Sequence, residues 1–228
     1  MSKFIFFKIL FCFLFGTVLQ SQIRISDIET EKLIHKKVLK YLNKSNYCFF
    51  NELQPSVNEN SDLSMFYVHH AIYTVFAPIE NIWNTCMFVS PTNLWKGKIL
   101  DLSFVYNNNS DKLSYKNDQN FDSLEINQIY FINLHIMHLF NVAAALITTK
   151  IDYEEKVLEF TYIKGNKSIG KQIVRLIVDN ENETKIIHDT YYKSDSKFRD
   201  KRLYPRFHQK SITDLHKKID LYSNPIEL

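Results

Sequence analysis

The chain has 228 residues, 45% apolar and 23% charged, which suits one globular domain with a short appended arm. Four glycines in the whole sequence exclude nucleotide folds that need backbone to approach phosphate, and exclude Gly-rich disordered or collagen-like chains. The formal charge is +3, but Lys3 and Lys8 lie in a segment that reads as a removable leader; without them 26 basic residues face 25 acidic ones. That balance predicts no electrostatic pull towards nucleic acid or an anionic membrane.

Residues 1–21 read as a secretory signal peptide. Two lysines and no acid precede or open an eleven-residue apolar run, Ile9 to Leu19, and Gln20-Ser21-Gln22 supplies a small residue at the exit. Eleven residues fall well short of the roughly 20 that cross a bilayer as a helix, so no transmembrane segment is expected in the mature chain. A secreted, periplasmic or cell-envelope location follows as an expectation. Cys12 lies inside the apolar run behind Phe11, which does not fit a lipoprotein cleavage site. The mature chain keeps Cys48 and Cys86. An even pair in an oxidising compartment permits one disulfide, yet Cys86 shares an apolar helical face with Ile79, Ile82 and Trp83 and reads as a buried, inert thiol.

Residues 22–63 form the arm. Ser26 to Asn43 carries Ile28, Leu33, Ile34, Val38, Tyr41 and Leu42 on a broad stripe, which predicts an amphipathic N-terminal helix. Asn51 to Leu63 is polar and without period, and reads as a linker. Residues 64–228 form the main domain. Met65 to Phe76, rich in β-branched and aromatic residues, reads as a strand. Ala77-Pro78 stops it, and Pro78 suits the first turn of a short helix running to about Cys86.

From Lys98 the pattern turns to strands: Ile99 to Tyr106, Glu125 to Met137, Asn141 to Asp152, Val157 to Lys164, Lys171 to Asp179 and Lys185 to Lys193. Asn107 to Asp122 reads as an asparagine-rich loop. The short connections predict antiparallel neighbours, since parallel crossovers need a dozen residues or more. Pro205 then opens a helix to about Ser223, with His208, Ile212, Leu215, Ile219 and Tyr222 on one face and Lys210, Asp214, Lys217 and Lys218 opposite. Strand, short helix, a run of antiparallel strands and a long amphipathic helix make an α+β layer architecture.

Tyr73-Thr74-Val75-Phe76-Ala77-Pro78-Ile79-Glu80-Asn81-Ile82-Trp83 resembles the opening strand, Ala-Pro step and tryptophan-bearing helix of the START/Bet v 1/polyketide-cyclase (SRPBCC) superfamily. Gly165 to His188, followed by the helix at Tyr204-Pro205, is similar to that superfamily's last two strands and closing helix. The likeness covers roughly Met65 to Ser223. It implies a helix-grip fold, a curved antiparallel sheet wrapped around a long C-terminal helix, with the N-terminal helix as an extra. It also implies an apolar cavity for a hydrophobic small molecule or lipid; a minority of such proteins catalyse cyclisation or hydrolysis.

Strand parity selects the residues facing that cavity. Leu158, Phe160 and Tyr162 oppose Glu159. Val174, Leu176 and Val178 oppose Lys171 and Arg175. Ile186, His188, Thr190 and Tyr192 oppose Lys185 and Asp189. The candidate ligand-binding liners are Trp95, Phe160, Tyr162, His188, Tyr192 and His208. His188 and His208 either orient a ligand as isolated polar groups or are core histidines bonded to a tyrosine or a carbonyl. No metal site is expected: in a strand His135 and His138 point to opposite faces, as do His69 and His70, and no acid or cysteine completes a set. Gly165-Asn-Lys-Ser-Ile-Gly170-Lys171 imitates the start of a phosphate-binding loop, but Gln172 stands where Ser or Thr is needed and a strand follows where a helix must begin. No cofactor, catalytic nucleophile or paired carboxylate is implied. Arg199-Asp200-Lys201-Arg202 reads as a solvated basic loop, with a place on a pocket rim as its functional alternative. The sequence reading is therefore an exported binder of a hydrophobic molecule. A cyclase- or hydrolase-like enzyme using a cavity histidine is one alternative, and an interaction module with a filled core is the other.

Overall fold

Strong alternation of apolar and polar residues over the last two thirds of the chain produces one antiparallel sheet of eight strands among the described residues. The computed structural model describes residues 22–29, 32, 36–44, 47–116, 118, 121–136 and 140–224. Residues 1–21, Leu33, Ile34 and His138 lie outside them. The strands are β1 (Tyr67–Val75), β2 (Leu100–Asn107), β3 (Lys112–Tyr115), β4 (Gln128–Ile136), β5 (Phe140–Asp152), β6 (Val157–Tyr162), β7 (Ser168–Asn180) and β8 (Glu183–Ser194). Their order across the sheet is β1-β8-β7-β6-β5-β4-β2-β3, so the first strand pairs with the last. The helices are α1 (Lys36–Leu42), α2 (Ile79–Phe88), α3 (Pro91–Leu94) and α4 (Tyr204–Ser223). This is an α+β helix-grip fold: the curved sheet holds α4 against its concave face.

Two apolar clusters lie on opposite faces of the sheet. On the concave face Ile82, Trp83 and Met87 of α2 and Ile219 of α4 pack on Leu102, Ile132, Leu158 and Leu176. On the convex face Ile25, Val38, Leu42 and Phe50 of the N-terminal segment cover Phe104, Phe131, Ile147 and Ile163. Phe50 is fully buried, stacked on Tyr106 at 4.9 Å and edge-on to Phe104 and Phe131 at 5.8 Å.

Residues 22–63 therefore differ from the expected helix and linker. In place of one helix from Ser26, the chain makes a 3-10 turn at Ile25–Asp27, and the α-helix described is the shorter α1. The start of the segment is committed elsewhere: Arg24 bridges to Phe49, Ile25 N donates to Cys48 O, and Glu29 N donates to Tyr115 Oη. Nor is Asn51 to Leu63 a free linker. Ser56 N donates to Tyr162 O, Lys164 N to Gln54 O, and Leu53 and Val57 are buried. The asparagine-rich loop conceals β3, whose Tyr115 lies opposite Phe104 of β2.

The main-domain strands lie close to their expected places. Val178, expected inside, is 56% exposed, because the tip of the β7–β8 hairpin runs out into solvent. The Gly165 region is the β6–β7 turn, with Gly165 at φ +90°. Gly170 is inside β7 at φ +129°, and a Cβ there would meet Tyr191 O at 1.9 Å, so that glycine serves strand packing. Cys48 and Cys86 are both free thiols; Cys48 is exposed, and burial pushes the Cys86 thiol up to about 12. No described helix is long and apolar enough to cross a membrane.

Candidate functional site

Between the concave face and α4 lies a cavity of about 480 Å³. Its sheet wall is built by alternation: Leu100 of β2, Ile132 of β4, and Ala144 and Leu146 of β5. Phe207, Ile212 and Leu215 of α4 close the other side. Trp95, at the end of α3, forms the far wall; it stacks on Tyr130 at 5.3 Å and 9° and meets Phe160 edge-on at 6.0 Å. Helix α4 is held over this space by Asp214, whose carboxylate accepts from Lys98 N at 2.9 Å and Ile99 N at 3.4 Å. Gly97 permits that approach, since a Cβ there would sit 2.5 Å from Asp214 Oδ2. Asp214 thus has a tethering role, where the sequence pattern assigned it to the solvated face.

The cavity opens where exposed Lys37, Asn141, Lys167 and Leu203 join partly exposed Arg199. Arg199 lies in the wide i→i+5 turn Arg199–Leu203 that precedes α4. Lys201 and Arg202 of this short basic cluster are exposed, as expected, but the segment is a helical turn with a buried acid. Asp200 is buried, accepting from Ser194 Oγ at 2.6 Å and Ser194 N at 3.0 Å, while its carbonyl accepts from Tyr192 Oη at 2.9 Å. That lock fixes where α4 begins, and it leaves Arg199 on the rim.

Polar groups gather at one part of the wall. Tyr162, Gln172, Tyr204 and His208 all line the cavity. Gln172 Nε2 donates to Tyr162 Oη at 3.0 Å, and Tyr162 Oη shares a short hydrogen bond with Tyr204 Oη. Behind them Gln172 Oε1 is 3.0 Å from His188 Nε2, and His188 Nδ1 is 3.0 Å from His216 Nε2. The amide fixes the direction of this chain. Gln172 Oε1 is an acceptor, so His188 carries its proton on Nε2 and accepts at Nδ1 from His216 Nε2–H. His216 Nδ1 is then a buried lone pair without a partner. A second chain runs from Thr190 Oγ1 to His208 Nε2 at 3.3 Å and from His208 Nδ1 to His69 Nδ1 at 3.2 Å.

Electrostatics follow from this burial. Desolvation pushes His188 down to about 3 and holds His208 and His216 well below the ordinary imidazole value, with repulsion between neighbouring rings adding to it. Burial raises the Tyr162 phenol to about 12 despite the hydrogen bonds from Tyr204 and Gln172. At neutral pH the site is therefore a set of uncharged imidazoles, phenols and one amide. It can hydrogen-bond a polar atom of a ligand. Among the described residues no group of three or more His, Cys, Asp or Glu is arranged to hold a metal ion.

Of the six liners expected from sequence, Trp95, Tyr162 and His208 line the cavity. The other three stand behind the wall. Phe160 packs against Trp95, and His188 lies behind Gln172. Tyr192 is covered by Tyr204, stacked on it at 3.6 Å and 11°. All three are buried on the inward face as parity required, but none of them lines the cavity. Sequence reasoning did not single out Gln172, Tyr204 or His216. A signal existed for Gln172: it shares parity with Val174 and Leu176, so a polar residue on that face needs a partner. His69 and His70 do split across the strand, His69 towards His208 and His70 outward to Asp189 at 2.6 Å.

The architecture is that of the Bet v 1-like, SRPBCC helix-grip proteins. Truncated norcoclaurine synthase from Thalictrum flavum superposes with a TM-score of 0.54 at 13% identity, over 75% of this chain and all of that one. A point mutant of the same synthase, in complex with a transition-state analogue, gives 0.53 at 12% identity over 70% of this chain and 94% of that one. A protein from Thermus thermophilus gives 0.52 at 12% identity over 69% and 97%. No protein-family model and no curated protein matches the sequence. The likeness is one of fold.

Proposed function

We propose that the protein is an exported carrier that holds a hydrophobic small molecule or lipid, chemically unchanged, beneath α4. The observation that carries this reading is the cavity itself: about 480 Å³, apolar on most of its walls, with a few neutral hydrogen-bonding groups at one place. Its volume lies within the range of small-molecule sites. Export rests on the sequence of residues 1–21. Catalysis by a cavity histidine has less support. His188 is sealed behind Gln172 and uncharged, and both ring nitrogens of His208 are engaged. A filled-core interaction module has less support too, because the space under α4 is open.

The test is a titration with 1-aminoanthracene, a neutral apolar fluorophore, against the native chain and Ala144→Trp, which puts an indole into the space. Saturable, blue-shifted emission with the native chain and its loss in the folded variant support the carrier reading. Equal emission from both, or none from either, contradicts it.

A further inference from the structure

A second cavity of about 630 Å³ lies on the convex side, between α1, the start of β5 and the β6–β7 turn. Its walls carry five lysines: Lys37 and Lys40 on α1, Lys44 just beyond it, and Lys164 and Lys167 on the turn. None of the five makes an ion pair with a described residue, and among the described residues no carboxylate lines either cavity. Five like charges on one groove repel one another, and they form a surface that an anion stabilises. The two cavities share Lys37, Asn141, Val142, Ala143 and Lys167. Alternation along β5 explains the sharing. Ala143 faces the convex cluster that includes Ala145 and Ile147, while Val142 and Ala144 face the ligand cavity, so the two spaces meet at this end of the sheet. Arg199 stands at the same opening, its guanidinium donating to Lys167 O at 3.1 Å and to the exposed Asp195 at 3.0 Å.

Apolar walls that end at a ring of cations match an amphiphile. We propose that the ligand has an apolar tail, which enters the cavity under α4, and an anionic head group, carboxylate or phosphate, which sits among Lys37, Lys167 and the neighbouring lysines. This rests on the carrier reading and narrows it. Helix α1, which the sequence marks as an addition to the gripping domain, thereby supplies part of the ligand site. The near-neutral charge of the mature chain fits a local anion site better than a broad attraction to polyanions.

The experiment is displacement of bound 1-aminoanthracene by dodecanoate, dodecyl phosphate, dodecanol and dodecyltrimethylammonium, each below its micelle concentration, at low and high salt. At low salt at least one anion should displace at about tenfold lower concentration than dodecanol, as one charge-assisted hydrogen bond implies, with the cation weakest. Salt should narrow the gap. Dodecanoate against dodecyl phosphate tells which head group is preferred. Lengthening the tail by one CH2 should tighten binding by up to about fourfold until the cavity is full. In Lys37→Glu/Lys167→Glu, and independently in Lys40→Glu/Lys164→Glu, the ratio of the dodecanol to the anion displacement concentration should fall towards one; these side chains are exposed, so the fold is retained. Equal displacement by dodecanol and both anions, or an anion preference that survives both double variants, overturns the head-group proposal and leaves the carrier reading intact. Failure of every dodecyl compound to displace the probe overturns both.

Discussion

Burying two neutral imidazoles in contact makes the fold sensitive to mild acid. His188 and His216 are 1% and 2% exposed, and burial lowers both below their unfolded value near 6.5, His188 to about 3. The sign follows from proton counting. Below pH 6.5 the unfolded chain binds protons that the folded chain refuses, so this stability is complete above about pH 7.5 and is lost as pH falls. Each such histidine costs about 1.4 kcal/mol per pH unit below 6.5. From pH 6.5 to 5.0 His188 alone therefore removes about 2 kcal/mol, a sizeable part of the roughly 5–15 kcal/mol of a typical domain, and His216, lowered in the same direction, adds to it. His208, whose pKa is lowered in the same direction, adds to the loss. Asp189, which His70 and Arg175 hold below its usual value against the cost of burial, acts only nearer pH 4 and does not offset it. Urea unfolding at pH 7.5 and 5.0, followed by far-UV circular dichroism, reads the effect directly. The midpoint should fall sharply at pH 5.0, and His216→Asn, though less stable at pH 7.5, should show a smaller loss. An unchanged midpoint between the two pH values would refute the reasoning.

Other substitutions probe separate parts of the structure. Gln172→Leu leaves the His188 Nε2–H buried without its acceptor and should cost about 1–3 kcal/mol in thermal unfolding; no loss would mean the chain of hydrogen bonds is not formed. Phe50→Ala should cost about 3–5 kcal/mol and, in limited proteolysis, expose residues 22–63 to cleavage, which an appended arm would not require. Gly170→Ala adds a Cβ against Tyr191 O at positive φ and should destabilise by at least about 1–3 kcal/mol, read as a lowered Tm. Trp95 lines the cavity and Trp83 does not, so quenching or shift of tryptophan emission by an apolar ligand should vanish in Trp95→Phe.

The strands were legible because their alternation is strong. Ile186, His188, Thr190 and Tyr192 all point inward and are all buried, as the lysine and aspartate between them required. The C-terminal helix was legible in extent, but its buried face is turned relative to the apolar stripe. Ser211, Ile212, His216, Ile219 and Ser223 are the fully buried positions, whereas Tyr222 is 38% exposed. Ser211, His216 and Ser223 are polar; Ser211 bonds back to Phe207 O one turn earlier in the helix, while the partners of His216 and Ser223, His188 and Thr85, are visible only in three dimensions. Hydrophobic period cannot find a face that satisfies itself by hydrogen bonds. The N-terminal segment misled for a related reason. Its stripe from Ile28 to Leu42 fits a helix, but Arg24 and Glu29 spend their backbone on Phe49 and Tyr115, a long-range commitment that local pattern does not record. At the site itself, parity placed side chains on the correct face but not in the correct layer; Phe160, His188 and Tyr192 face in and pack against the lining residues Trp95, Gln172 and Tyr204 without lining the cavity themselves.

On the carrier reading, the space beneath α4 holds a hydrophobic molecule in the working protein. Native mass spectrometry of the protein, purified gently from its own host and followed by organic extraction, tests it most directly. A stoichiometric adduct is expected, whose extract is an apolar or amphiphilic small molecule and which is lost when Ala144→Trp fills the cavity. An unliganded mass that stays unliganded when dodecanoate, dodecyl phosphate, dodecanol and 1-aminoanthracene are added would contradict it.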